Sequence, residues 1–266
     1  MKYKILRLLL FAALIAGGLV TVFPFVWMVL SSFKSNGEIE ALNQTLLPQV
    51  PVLENYLNLQ NNFNFLQYFF NSVFIAVVVT LLVIYTSCLC GYVLGKYEFK
   101  GKNLIFAVVM MTMMVPWSVT IIPRYTMFVK AGLQDSYLSL VIPSMVSGFG
   151  IFMMKQHMES IPNELIEAAR IDGSNEFQIF HKQILQKSKN GISAIAIFQF
   201  LWPYLMIDSE AKQLLAVGLT TFNGRYTTDY GGLFAATSIS ILPVILVYVI
   251  FQRRFVAGVA SGAVKG

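Results

Sequence analysis

The sequence predicts an all-α membrane protein of six transmembrane helices with both termini in the cytoplasm. Three observations carry that expectation. Charged residues make up 12% of the 266-residue chain and apolar ones 56%, whereas an average soluble domain is roughly 25% charged. Six stretches contain no Asp, Glu, Lys or Arg and are long enough, or nearly so, to cross a bilayer. The basic residues between them collect on alternate connections. A soluble fold cannot cover its surface with so few charges. Disorder requires low hydrophobicity and high charge, which a mean hydropathy of +0.66 excludes.

The stretches are 8–33, 72–95, 103–123, 136–154, 190–207 and 230–252, against the roughly 20 apolar residues that span the hydrocarbon core. The first follows Met1-Lys2-Tyr3-Lys4-Ile5-Leu6-Arg7 and imitates a secretory signal. Its apolar run is far longer than the about 7–15 residues of a signal core, and no small-x-small cleavage site ends it, so it reads as an uncleaved helix. The second begins near Ser72, because 55–71, although uncharged, holds six Asn and two Gln. The fifth, at 18 residues, is the shortest.

Orientation follows from Lys and Arg, which favour cytoplasmic connections. With the N-terminus inside, the inside segments hold 14 of them and the outside segments five: Lys34, Arg124, Lys130, Lys212 and Arg225. The net charge of +6 is then that of a multi-spanning protein and not of a nucleic-acid binder, and no basic run with interleaved aromatics occurs.

The spans carry no ionisable acid or base. A charge at mid-helix costs about 2.5–3.5 kcal/mol to insert, so proton-coupled carriers, pumps with acidic relays and voltage sensors keep such residues only for function. This chain has no intramembrane coupling group of its own. An enzyme reading fares no better: there is no His-Glu-x-x-His, and His157 and His181 sit in one cytoplasmic loop. Cys88 and Cys90, at i and i+2, point to different faces of a helix and read as small packing residues. Gly91-x-x-x-Gly95-Lys96-Tyr97 superficially resembles a phosphate loop, but it is one residue short, lacks the Ser or Thr, and ends a membrane helix. Close helix packing through a small-x-x-x-small face is its better account.

The longest inside connection, 155–189, has an internal plan. Pro162 suits a first helical turn, Glu164 and Glu167 lie near the N-terminal end, and Gly173 breaks the helix. Ile161, Leu165, Ala168 and Ala169 are expected to share one face. Beyond Gly173, Phe177, Phe180 and Ile184 recur at i, i+3 and i+7 and predict an apolar stripe on a second short helix. Two such turns either lie on the lipid interface or form a knob that another protein grips.

Glu167-Ala168-Ala169-Arg170-Ile171-Asp172-Gly173 resembles the EAA motif of the membrane subunits of bacterial ATP-binding-cassette importers, in the matching place before the second-to-last span. Other segments resemble maltose- and oligosaccharide-type permeases: Pro24-Phe25-Val26-Trp27-Met28 with Ser31-Ser32-Phe33-Lys34, Asn71-Ser72, Phe222-Asn223-Gly224-x-Tyr226, and Gln252-Arg253-x-Phe255-Val256-x-Gly258. The resemblance runs nearly end to end. It implies the type I importer permease fold, with a first helix and extracytoplasmic loop (1–67), a permease core (68–252) and a cytoplasmic tail (253–266). It implies that Glu164, Glu167, Ala168, Ala169, Asp172, Gly173, Phe177 and Phe180 couple to an ATPase, and that Asn223, Gly224, Arg225 and Tyr226 face a receptor. The implied partners are a cytoplasmic ATPase dimer, which binds the ATP, a second permease subunit, an extracytoplasmic sugar-binding protein and the bilayer. The chain itself needs no cofactor or metal.

Two departures from the family pattern stand out. The motif usually continues through an isoleucine, a spacer and Leu-Pro, where this chain has Gln183, Ile184, Leu185 and Gln186, followed by Lys187 and Asn190. The fifth span, with Phe198-Gln199-Phe200-Leu201-Trp202-Pro203, is roughly six residues shorter than in relatives, about 9 Å of helix. A permease for a carbohydrate is the first reading. The same architecture for another small solute, such as a polyamine or glycerol phosphate, and a self-contained carrier or channel are the alternatives.

Overall fold

The computed structural model describes residues 2–62, 64–185, 206–224 and 227–263. The expected fifth span lies outside these except for Met206 and Ile207, and Gln186, Lys187, Asn190, Arg225 and Tyr226 lie outside them too.

The described chain is mainly helical. Helix α1 (Lys2–Ser31) and helix α2 (Phe65–Lys96) are each long and apolar enough to cross a bilayer. Helix α2 ends on Lys96, whose charge suits a helix C-terminus. Gly101, at φ +87°, makes the left-handed step into α3 (Lys102–Met114), a conformation that glycine adopts without a steric penalty.

The expected single span 103–123 is instead two helices. Helix α3 stops at Met114, and α4 (Trp117–Lys130) leaves at 102° to it. Val115 takes φ −80° and ψ 118°, because the residue before a proline is pushed out of the helical region. Pro116 then has no N–H to continue the ladder. The fourth stretch breaks more gently. Helices α5 (Tyr137–Ser144) and α6 (Gly148–Glu159) meet at 41°, with Ser147 Oγ accepting the Gly150 N–H at 3.1 Å. Each bent pair, taken together, is long and apolar enough to cross a bilayer. Helix α7 (Glu164–Ile171) follows, and α8 (Tyr230–Ala263) closes the described chain.

The chain forms two compact units, Met1–Phe69 with Leu215–Leu246, and Phe70–Leu214 with Val247–Gly266. The first buries Phe65, Tyr68, Phe222, Ala235 and Ala236 together. Its polar joint follows α1: Asn55 Nδ2 donates to the carbonyls of Ser32 and Lys34, both at 2.8 Å, and the hydroxyls of Ser32 and Tyr56 meet at 2.6 Å. Asn55 fills the space that a side chain at position 231 would need, since a Cβ on Gly231 would lie 2.7 Å from its amide.

The second unit holds two apolar clusters. One seats Met206, Ile207 and Leu214, all essentially inaccessible, on Ile75 and Leu140. Asp135 locks that seat. Its Oδ1 accepts from the Ser209 N–H (2.9 Å) and hydroxyl (2.8 Å) and its Oδ2 from Lys212 Nζ (3.0 Å), while its own N–H donates to the Met206 carbonyl (2.8 Å). The Ser209 backbone N–H, then Lys212, hold the Asp135 carboxyl well below the usual carboxylate range. Asp135 sits at φ +53°, tolerated by Asp better than by most residues. The other cluster joins α2, α6 and the loop beyond.

Candidate functional site

The segment 160–185 is built by local rules. Helix α7 ends in a two-bond cap: the Gly173 N–H donates to the Arg170 carbonyl and the Ser174 N–H to the Ala169 carbonyl, both at 3.0 Å. Gly173 is at φ +80° with open space around it, the position at which helices commonly end on glycine. Asn175 then opens the next helical turn. Its side chain accepts the Gln178 N–H at 2.9 Å, and the Gln178 side chain accepts the Asn175 N–H at 3.0 Å, a reciprocal cap that satisfies two backbone donors. The turn Glu176–Gln178 continues as a π-helical turn over Ile179–Ile184.

The inward face differs from the expected one. Ile161, Ile166 and Ala169 are buried, with Ile179 and Phe180, against Cys88, Tyr92, Met154 and Met158. Leu165 is half-buried and Ala168 is exposed. Helix α7 begins only at Glu164, so Ile161 does not share its phase, and the i, i+3 pair Ile166 and Ala169 sets the buried face. The Phe177–Phe180 stripe also splits. Phe177 is 68% exposed and Phe180 3%, because the chain passes from an α turn into a π turn between them. Of the eight residues expected at a partner surface, Glu164, Glu167, Ala168, Asp172, Gly173 and Phe177 face outward. Ala169 and Phe180 lie beneath and support them. Ile171, 87% exposed, joins that outward face; its place within the EAA segment was the only signal for it.

This surface is fixed to the end of α2. Gly91 and Gly95 face α6 so closely that a Cβ would stand 2.5 Å from the Met154 Cβ at one and 2.8 Å from the Met158 Cβ at the other. The pair packs helices, as the small-x-x-x-small reading expects. Cys88 is buried and both cysteines are free. Lys96 Nζ donates to the Ile161 carbonyl and to Asn163 Oδ1, the latter at 2.8 Å. Glu176 gathers four donors: Arg170 Nε at 2.8 Å and an Arg170 terminal nitrogen at 2.8 Å on one oxygen, the Tyr97 hydroxyl and the Tyr92 hydroxyl (3.3 Å) on the other. The Tyr97 hydroxyl and then Arg170 hold the Glu176 carboxyl below its usual range, while burial and Glu176 push the Tyr97 hydroxyl up. Between these groups lies a cleft of about 110 Å³ lined by Lys96, Tyr97, Asn163, Glu167 and Arg170. Its two cations are already engaged, Lys96 by Asn163 and Arg170 by Glu176, which makes it a joint between elements.

The other expected site is a tight turn in the first unit. Asn223 and Thr228 form an antiparallel bridge, and the Asp229 N–H donates to the Phe222 carbonyl at 2.9 Å. Phe222 is buried while Asn223 and Gly224 are exposed. A Cβ at Gly224 would lie 2.6 Å from the Thr227 carbonyl oxygen, so the turn closes only around glycine.

Residues 87–261 match the family described as "Binding-protein-dependent transport system inner membrane component". The chain belongs to that family. The match covers α6, α7 and the outward surface, as well as the Asn223 turn. Among curated relatives, this inner-membrane component is 34% identical over 99% of its length to the arabinooligosaccharides transport system permease protein AraQ of Bacillus subtilis (strain 168), covering 96% of that protein. It is 33% identical over 96% of its length to the diacetylchitobiose uptake system permease protein NgcG of Streptomyces coelicolor, covering 87% of it. Its fold matches a chain from the crystal structure of a bacterial ABC transporter involved in the import of the acidic polysaccharide alginate, with a TM-score of 0.80, over 95% of this chain and 97% of that one, at 22% identity. The family and the apolar helices make it a multi-pass inner-membrane transport component.

Proposed function

We propose that this chain is a permease subunit of an ATP-driven importer and forms part of the path for a carbohydrate, an oligosaccharide. The observation that carries the coupling role is the outward surface of Glu164, Glu167, Ala168, Asp172, Gly173 and Phe177, displayed on a capped two-helix loop whose underside is buried against α2 and α6. A membrane component without intramembrane charge must receive its energy through a protein contact, and this loop is the one the resemblance assigns to the ATPase dimer. The relatives named for arabino-oligosaccharides and diacetylchitobiose support a short glycan as substrate.

In this reading six spans cross the membrane with both termini cytoplasmic, a second permease subunit completes the path, and the Asn223–Tyr226 turn faces an extracytoplasmic sugar-binding protein. Closure of the ATPases presses on the outward surface. The packed contacts of Ile166, Ala169, Ile179 and Phe180 carry that displacement into the membrane helices. The chain supplies no chemical step, and ATP is bound by the partner.

The test is purification of the chain with its native neighbours, reconstitution in vesicles, and uptake of a panel of labelled short glycans. Import that requires both ATP and the binding protein is expected for at least one oligosaccharide. Transport by this chain alone would assign it to the self-contained carriers, and import of a polyamine or glycerol phosphate with no glycan would overturn the substrate class.

A further inference from the structure

Transmission requires more of the loop than contact with a partner. The loop must also move the membrane helices without slipping on them. Its apolar underside alone does not guarantee this, because hydrophobic contact is non-directional. The directional bonds lie at the end of α2. Lys96 grips the start of the loop through the Ile161 carbonyl and Asn163. One residue further on, Tyr97, with Tyr92 a turn earlier, grips Glu176, and Glu176 in turn holds Arg170 in the last turn of α7. Both ends of α7 are therefore tied to the end of α2 and the residue that follows it, and the second helical turn is tied to both. Glu176 bonds to both the second-span end and α7, across 79 residues to Tyr97 and six to Arg170.

We propose that Glu176 is a positioning residue that makes the two-helix loop and the second span one moving body, so that α2 is the helix through which the loop drives transport. The proposal rests on the coupling-loop reading above. It adds which span receives the motion and which side chain secures it. Glu176 is half-exposed and touches no transported solute in this account, so its loss leaves the fold of the unit standing on the buried cluster beneath.

The deciding experiment uses the complete transporter in vesicles and reads solute imported per ATP hydrolysed. A cysteine at position 167 (Glu167→Cys), crosslinked to the ATPase, reports in parallel on loop contact. For Glu176→Ala the expected result is an assembled complex with the crosslink and receptor-stimulated hydrolysis retained, and at least about a tenfold fall in solute per ATP, the scale of even one of the charge-assisted hydrogen bonds it loses. Glu176→Gln should recover part of that fall. Tyr97→Phe should lower the ratio in the wild-type background and add little in Glu176→Ala, as members of one joint do. If Glu176→Ala does not assemble, Tyr97→Phe, which removes one hydroxyl, decides in the same way. An unchanged ratio in these variants with the crosslink intact overturns the joint and leaves the coupling loop standing. Absence of the crosslink in the otherwise wild-type complex overturns both.

Discussion

Gly91 lies directly against Met154: a Cβ at Gly91 would stand 2.5 Å from the Met154 Cβ and 2.8 Å from its carbonyl carbon. The two helices beneath the loop around α7 are thus in backbone contact, and no side chain fits between them. Gly91→Leu should push α2 and α6 apart and destabilise the purified protein by about 1–3 kcal/mol, as overpacked interiors do. Thermal unfolding in detergent would show it. Gly17→Leu, at a glycine with nothing within 4 Å, should leave the midpoint close to that of the wild type.

The Asp135 lock makes a prediction about pH. A carboxyl depressed below its unfolded value contributes stability that is fully present above the unfolded pKa, about 4, and is lost as pH falls through the lower folded value. Asp135→Asn should therefore lower the unfolding temperature at pH 7 by a margin that holds down to about pH 5 and narrows in stronger acid. A margin that is constant to the lowest pH at which the protein stays folded would show that the charge is not what Lys212 and Ser209 hold.

What the sequence made legible was set by local rules. Gly173 announced its left-handed cap, and Gly91 and Gly95 their packing role, because each depends on backbone space within a turn or two. The break at Pro116 follows from equally local chemistry, yet a charge-free run of ordinary spanning length hid it. Ala168 is exposed and Phe177 and Phe180 do not share a face, because short helices begin and change pitch at positions that tertiary contacts choose. The Tyr97–Glu176–Arg170 joint had no sequence signal, since its members meet across 79 residues and no periodicity links them. Apart from Met206 and Ile207, the fifth span lies outside the described residues, as do Arg225 and Tyr226.

Orientation has a direct check. The basic-residue count places the 155–189 loop inside and the turn after Asn223 outside. A cysteine at Ser188 should resist an impermeant thiol reagent in intact cells, and one at Thr228 should react. The reverse pattern would invert the topology.

The turn closed by Gly224 should meet the binding protein. Asn223 is exposed and held by its bridge to Thr228, so a photo-crosslinker there has a defined direction. Crosslinks to the receptor should form during ATP turnover and fade without it. Consistent absence under turnover would make this an ordinary solvated turn.

The central claim is that the loop around α7 passes ATPase closure to the membrane helices. Gly173 is exposed with open space around it, so Gly173→Asp places a charged side chain on the partner surface and strains one turn by about 1–2 kcal/mol without touching the core. The decisive measurement is ATP hydrolysis by the purified complex with and without the loaded binding protein. The wild-type complex should be stimulated by the receptor, and the Gly173→Asp complex should assemble but show no stimulation. A Gly173→Asp complex that is stimulated and imports as well as the wild type would show that this loop is not the transmission.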